Sequence, residues 1–207
     1  MDQSPTQRLR RFSPDNSGAP ADALIVILFG QGQEADAEAL AAQWSPAVPR
    51  GAFAGLELDL TTARVDLVAV RVLLAEAADQ HGLQTQQIVL LGAGRAGRLA
   101  IDLALLGVVP GAAVITLDIP LESAPTTLAP ATAAVRMVQR SSPDDPRGER
   151  FHAVVEALQR RQVNIRSMLL PDLEAATHRA TLRAAGAFLV ELVANASRLA
   201  SAARTWP

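Results

Sequence analysis

Short apolar runs alternate with longer amphipathic segments along most of the chain. The clearest run is Ala23–Phe29, whose continuous apolar, β-branched character is typical of a strand buried on both faces. The next segment, Glu34–Trp44, carries alanine and leucine on one side and predicts a helix. The same order recurs towards the C-terminus. It predicts further strands within Ala52–Leu60 and over Ile88–Leu91, Ala112–Leu117, Ala133–Val138 and Val163–Leu170, and helices over Ala63–His81, Arg95–Leu106, Arg147–Arg161 and Thr177–Ala200.

This repeated strand-then-helix order predicts a single doubly wound α/β domain with a mainly parallel central sheet. We expect Ile88–Leu91 to be a central strand and helices to cover both faces of the sheet. Residues 23–203 would form the domain, and the polar residues 1–22 would form a flexible tail. Ligands of such sheets bind beyond the carboxyl ends of the strands. A site is therefore expected at the junctions after Phe29, Leu91, Val138 and Leu170.

The residue types that the sequence lacks exclude several kinds of chemistry. There is no cysteine and no tyrosine, and all 19 basic residues are arginine. Without cysteine there are no thiol nucleophiles, disulfides or cysteine-based metal sites. Without lysine there is no Schiff-base chemistry and no P-loop, whose lysine must reach the phosphates. The histidines, His81, His152 and His178, lack the spacing of a metal-binding pair, so we expect no metal and no cofactor.

Charge and hydropathy bear on the partners and the compartment. With 49% apolar and 19% charged residues, the chain is expected to be globular. Its net charge of −2 gives no reason to expect nucleic acid or an anionic membrane as a partner. No apolar run approaches the roughly 20 residues that span a bilayer, and the N-terminal segment lacks the apolar stretch of a signal peptide. We therefore expect a cytoplasmic protein.

A glycine-rich turn follows the predicted central strand. Residues 92–97 (GAGRAG) have the spacing G-x-G-x-x-G between a strand and a helix, and Asp118 lies 21 residues after Gly97. One interpretation is a dinucleotide site, in which Gly92, Gly94 and Gly97 let the backbone approach the pyrophosphate and Asp118 binds a ribose hydroxyl. The other interpretation is a tight strand-to-helix turn whose small residues allow close packing.

Six segments in a fixed order carry a family resemblance. They are Pro14–Gln33 (PDNSGAPADALIVILFGQGQ), Ala78–Leu91 (ADQHGLQTQQIVLL), Arg98–Leu106, Ala133–Ala157, Val163–Pro171 and Ala185–Leu189. Together they resemble the phospholipase/carboxylesterase branch of the α/β-hydrolases. In the same order they are similar to its first strand with the oxyanion loop, the strand before the nucleophile, the helix after it, the acid-loop region, the strand before the catalytic histidine and the closing helix. The resemblance implies an α/β-hydrolase-like fold and carboxylic-ester chemistry.

The chain departs from this family at the nucleophile. The family requires a serine at a sharp G-x-S-x-G turn, and the resemblance puts Gly94 at that position. No Ser, Thr or Asp lies between residues 88 and 100, so a shift of one place does not restore it. In the oxyanion loop Phe29 replaces the usual histidine before Gly30. Backbone N–H groups at Gln31 and Arg95 could still form an oxyanion hole, because such donors need no particular side chain.

The other two triad positions are also altered. The resemblance places the orienting acid at Pro143, and Asp144 and Asp145 follow directly. It places the catalytic histidine at Ala175, three residues before His178. Each of these polar residues also has an ordinary structural interpretation. The aspartates would lie in a solvated turn, and the histidine would lie on a helix surface or cap.

These observations favour a degenerate α/β-hydrolase that has lost hydrolytic activity and acts in binding, scaffolding or regulation, with a small apolar molecule as its ligand. The alternatives are a dinucleotide-binding protein and a residual carboxylic-ester hydrolase. The predicted helix segment Val65–Ala77 carries apolar residues on more than one face, which is unusual for a surface helix. We therefore expect a homodimer or a heteromer with an active relative.

Overall fold

The computed structural model describes residues 7–12, 20–61, 65–122, 133–142, 144–172 and 174–205. Seven strands and five α-helices occupy these ranges. They are β1 (Arg8–Arg11), β2 (Ala23–Gly30), α1 (Glu34–Trp44), β3 (Gly51–Leu58), α2 (Leu67–Gln80), β4 (Ile88–Ala93), α3 (Gly94–Leu105), β5 (Ala113–Leu117), β6 (Ala134–Ser141), α4 (Arg147–Arg160), β7 (Asn164–Pro171) and α5 (Glu174–Thr205).

The strands form one sheet in the order β1-β3-β2-β4-β5-β6-β7. β1 is antiparallel to β3, and all the other neighbouring strands are parallel. β4 is the middle strand, and its register pairs Leu28 of β2 with Gly92. Both strands therefore end at the same edge of the sheet. The predictions of a mainly parallel sheet and of a central Ile88–Leu91 strand are confirmed.

Helices cover both faces of the sheet, because its central strands are apolar on both sides. Every residue of β2 is buried. One core cluster joins the sheet to α2, α3 and α4 through residues such as Leu74, Ile101 and Phe151. The second joins the sheet to α1 and α5 through residues such as Trp44 and Leu189. The helices do not cover the carboxyl ends of β2, β4 and β5, so a binding site can form there.

The N-terminal segment contains a strand, although its polar composition predicts a flexible tail over residues 1–22. Arg8–Arg11 pair with β3, and Leu9 packs against the core. Arg10 reaches Glu34 at 2.5 Å and Glu57 at 3.5 Å. A strand made of one leucine and three arginines lacks the apolar alternation by which a strand is predicted. Residues 1–6 and 13–19 lie outside the described ranges.

The remaining elements lie within a few residues of their predicted bounds. α2 begins at Leu67 because the Asp66 carboxylate caps it, accepting hydrogen bonds from the N–H groups of Val68 and Ala69 at 3.0 Å. The predicted start of this helix at Ala63 lies outside the described residues. α5 begins three residues earlier than predicted and continues to Thr205.

Among the described residues, no helix combines the length and the apolar character that crossing a membrane requires. The same part of the chain contains no cluster of three or more histidine, aspartate and glutamate side chains that could hold a metal ion.

Candidate functional site

The central strand turns sharply into its helix at Gly94. Ala93 is extended, with φ −112° and ψ 152°, and Gly94 has φ +54° and begins α3. A positive φ is the conformation that L-residues avoid and that glycine adopts without cost. A Cβ atom built on Gly94 would meet nothing within 4 Å, so the tip of the turn points into open space. The backbone is therefore a strand-to-helix elbow whose tip carries no side chain.

Gly92 and Gly97 have a different role in the same turn. A Cβ on Gly92 would lie 2.6 Å from the amide nitrogen of Gly97, and a Cβ on Gly97 would lie 2.5 Å from the carbonyl oxygen of Gly92. These distances are far below van der Waals contact, so the two glycines let α3 pack directly against β4. Close packing thus accounts for both residues. This is the second of the two interpretations of the glycine-rich turn.

The loop after β2 lies beside the elbow. The N–H of Gly30 donates to Oε1 of Gln33 at 2.9 Å, and the N–H of Gln33 donates to the carbonyl of Gly30 at 3.2 Å. Gly32 has φ +78° and closes the turn, in which Gln31 is exposed. On the other side, Arg95 lies in the first turn of α3 and its guanidinium donates to the carbonyl of Leu60 at 3.4 Å. The expected oxyanion-loop residues therefore flank the elbow.

A cavity of 240 Å³, which we name the elbow cavity, opens between the loop after β2 and the strand-to-helix elbow. Its walls are apolar residues from the ends of β2, β4 and β5 and from α1, α3 and α5, including Phe29, Leu91 and Leu182. Gly92 and Ala93 of the elbow also line it. Its polar residues are Gln33, Asp36 and His178. The exposed His178, three residues after the position to which the resemblance assigns the catalytic histidine, thus lines the same cavity as the elbow.

The two candidate acids lie elsewhere. Asp144 and Asp145 line a separate cavity of 630 Å³ between the end of β6, the start of α4 and the end of β7, and no residue lines both cavities. Asp145 accepts a hydrogen bond from the N–H of Arg147 at 2.8 Å and also pairs with its guanidinium. The backbone hydrogen bond, aided by this cation, lowers the pKa of Asp145. The Asp145 carboxylate therefore holds the first N–H group of α4, and Asp144 is exposed.

Asp118, the candidate ribose ligand, is held by a different partner. It follows β5 with φ +48°. Its Oδ1 accepts from the N–H of Arg140 at 2.8 Å, and its Oδ2 accepts from Nε of Arg140 at 2.6 Å. Two hydrogen bonds to one residue fix the carboxylate against β6. Asp118 is also absent from the residues that line the elbow cavity.

Sequence reasoning missed Gln33, Asp36 and Leu182 as cavity residues. Gln33 and Asp36 follow β2, one of the junctions where a site was expected, and Gln33 also ends the segment that resembles the oxyanion loop. Leu182 has no signal in the sequence, because its place depends on how α5 crosses the sheet.

Comparisons with solved structures identify the fold. An esterase of Thermogutta terrifontis, studied as its tabun adduct, superposes with a TM-score of 0.66 at 16% identity, covering 90% of this chain and 89% of its own. Esterase PE8 gives 0.66 at 19% identity, covering 91% and 99%. A protein assigned as a dienelactone hydrolase in Klebsiella pneumoniae gives 0.64 at 12% identity, covering 93% and 99%. No protein-family model matches the sequence, and no curated protein matches it significantly.

These structures all have the α/β-hydrolase fold, and this chain shares it along nearly its whole length. The fold that the sequence resemblance implies is thereby confirmed.

Proposed function

We propose that this protein keeps the α/β-hydrolase fold without its ester-hydrolysing chemistry and binds a small, mainly apolar ligand in the elbow cavity. One observation carries the proposal. Gly94 occupies the tip of the elbow, where a hydrolase of this fold presents its nucleophile, and glycine has no atom that can attack a carbonyl.

The surroundings of the elbow support the loss of activity. A serine triad needs a histidine within hydrogen-bonding reach of the nucleophile and a carboxylate that orients the histidine. His178 lines the elbow cavity, whereas Asp144 and Asp145 line a different cavity. The Asp145 carboxylate already accepts a hydrogen bond from Arg147. A single replacement at Gly94 therefore does not rebuild a working triad.

The cavity itself supports ligand binding. Its walls come from three strands and three helices of the core, so the packing of these elements fixes its shape. Burial of an apolar molecule there would release water from apolar surface, and Gln33, Asp36 and His178 offer polar contacts. The volume of 240 Å³ suits a molecule of modest size, such as a short-chain ester or alcohol.

The loss of chemistry is tested with p-nitrophenyl acetate and butyrate. We expect the wild-type protein to release p-nitrophenol no faster than the same protein after heat denaturation. The Gly94→Ser variant should gain little, and Gly94→Ala is its matched control because it imposes the same backbone cost without a hydroxyl. Wild-type turnover above the denatured control would favour a residual hydrolase. A burst of acyl-enzyme from Gly94→Ser alone would show that His178 and a carboxylate still cooperate.

Ligand binding is tested with hexyl acetate as the probe, measured by calorimetry and by thermal melting. Leu182→Trp places a large side chain in the cavity, and Val190→Trp places the same side chain on the outward face of the same helix, where Val190 is 43% exposed. We expect binding to the wild type and to Val190→Trp, and at least about tenfold weaker binding to Leu182→Trp. This factor corresponds to about 1.4 kcal/mol. Equal binding to all three proteins would place the ligand elsewhere.

A further inference from the structure

The two edges of the sheet are protected very differently. β1 carries three arginines at one edge, and charged side chains are a common means of preventing strands from pairing edge to edge. β7 forms the other edge along its eight residues. Six of those eight residues are exposed, including Met168 at 39% and Leu169 at 36%. In the described part of the chain no strand pairs with the outer side of β7.

We propose that β7 pairs antiparallel with β7 of a second copy of this chain, so that two seven-stranded sheets join into one across a twofold axis. The surface is the outer edge of Asn164–Pro171. β7 has apolar residues on both faces and pairs with β6 without a bulge, and an exposed edge strand of this kind favours such pairing.

The pattern of β7 is complementary to itself. Its register with β6 puts Ile165 and Leu169 on the sheet face covered by α4, and Arg166 and Met168 on the face covered by α5. A twofold axis perpendicular to the sheet keeps each face on its own side. If it passes through Ser167, Ile165 of each copy lies opposite Leu169 of the other, which forms two apolar cross-strand pairs on one face.

Charge and backbone favour the same register. Arg166 is the one charged residue of β7, and Glu191 of its own chain compensates it at 3.1 Å. With the axis at Ser167, Arg166 lies opposite Met168 of the second copy, so no like charges face each other. Residues 164–170 of one copy then pair with residues 170–164 of the other. Pro171, which has no N–H to donate, stays outside the new ladder.

The test uses the absence of cysteine from the chain. In Ser167→Cys the two new cysteines would face each other across the axis. The Cα atoms of opposed antiparallel residues lie about 4.5–5.5 Å apart, within the range that a disulfide bridges. Val68→Cys is the control, because Val68 is 73% exposed on α2, the helix whose apolar faces offer the rival interface. Under mild oxidation we expect Ser167→Cys to form a cross-linked dimer within minutes and Val68→Cys to form no cross-link.

A second, non-covalent test varies the charge at one exposed position. Met168→Lys would place a cation opposite Arg166 of the second copy, and Met168→Glu would place an anion there. We expect sedimentation equilibrium to give the wild type a mass near twice the 21.8 kDa of the chain, and the lysine variant to dissociate about tenfold more readily than the glutamate variant. A wild-type mass near 21.8 kDa up to 100 μM, equal dissociation of the two variants, or faster cross-linking through Val68→Cys would overturn the proposal.

Discussion

Gly92 and Gly94 lie two positions apart and are required for different reasons. A side chain on Gly92 would collide with the backbone of Gly97 and Ala96 in α3, at 2.6–2.8 Å. A side chain on Gly94 has room, but the backbone there has φ +54°. The first constraint comes from space and the second from backbone conformation.

The two constraints predict different costs for the same substitution. Gly94→Ala should lower the free energy of unfolding by about 1 kcal/mol, the cost of a Cβ at positive φ. Gly92→Ala should cost more, about 3 kcal/mol, because α3 must move away from β4. Guanidinium-induced unfolding followed by circular dichroism measures both. Equal losses would contradict this assignment of the two glycines.

Arg136 shows how a charged residue is accommodated in this core. Its side chain is 2% exposed, and it donates to Glu191 at 2.8 Å and to the carbonyls of Val135 and Asn164 at 2.9 and 3.1 Å. The hydrogen bond from Arg136 is the main cause of the lowered pKa of Glu191, and Arg166 adds to it. Glu191 is therefore held in its charged form.

The pH dependence of stability follows from this shift. A glutamate whose folded pKa is below its unfolded value stabilises the fold above the unfolded pKa of about 4.3. That contribution is lost as the pH falls through the folded value. Glu191→Gln should lower the free energy of unfolding by about 2 kcal/mol at pH 7, and the difference from wild type should shrink as the pH falls below 4.3. Urea unfolding across this pH range tests it, with the exposed Glu156→Gln of α4 as control. A difference independent of pH would contradict the assignment.

At the scale of elements, the buried strands were predictable and the edge strand β1 was not. β2 and β4 are continuous apolar runs because the sheet buries them on both faces, and burial leaves this signal in the sequence. β1 owes its position to pairing with β3 and to the contacts of Arg10 with Glu34 and Glu57. Such contacts join residues far apart in sequence, so local periodicity does not record them.

The N-terminus of α2 provides a test of helix capping. Asp66 caps the helix through two backbone N–H groups, whereas Asp79 lies in its last turn. Asp66→Ala should lower the free energy of unfolding by about 1 kcal/mol, because two N–H groups lose their acceptor. Asp79→Ala is the matched control and should be neutral or slightly stabilising, since an anion near a helix C-terminus opposes the helix dipole. Thermal melting of both variants distinguishes them, and equal effects would contradict the capping role.

At the scale of the whole molecule, the sequence predicted the fold and the elbow better than it predicted the site around them. The elbow is local, because its glycines are adjacent in sequence and follow a strand. The distance between His178 and the two aspartates depends on how β6, β7 and α5 are arranged, which a count along the chain does not give. The cavity walls come from six separate elements and have no signature in any one of them.

The arrangement of the sheet also predicts how the protein responds to a dinucleotide. Within the described ranges three strands precede β4, whereas a dinucleotide-binding domain begins with the strand before its glycine motif. Gly92 and Gly97 allow β4 and α3 to pack closely, and the Asp118 carboxylate is hydrogen-bonded to Arg140. A site with a Kd of about 10 μM would be stabilised by about 2.7 kcal/mol in 1 mM NAD, which raises the melting temperature of a chain of this size by about 5–10 °C.

We expect NAD at 1 mM to change the melting temperature by less than about 1 °C, because no dinucleotide site of that affinity is formed. Arg140→Ala is the informative companion variant, since it removes the partner of Asp118 without touching the glycines. It should melt at a lower temperature than the wild type, and NAD should not change its melting temperature either. A rise of several degrees in the wild type that Asp118→Ala abolishes would instead establish the dinucleotide interpretation of residues 92–97, because a ligand stabilises only the state that binds it.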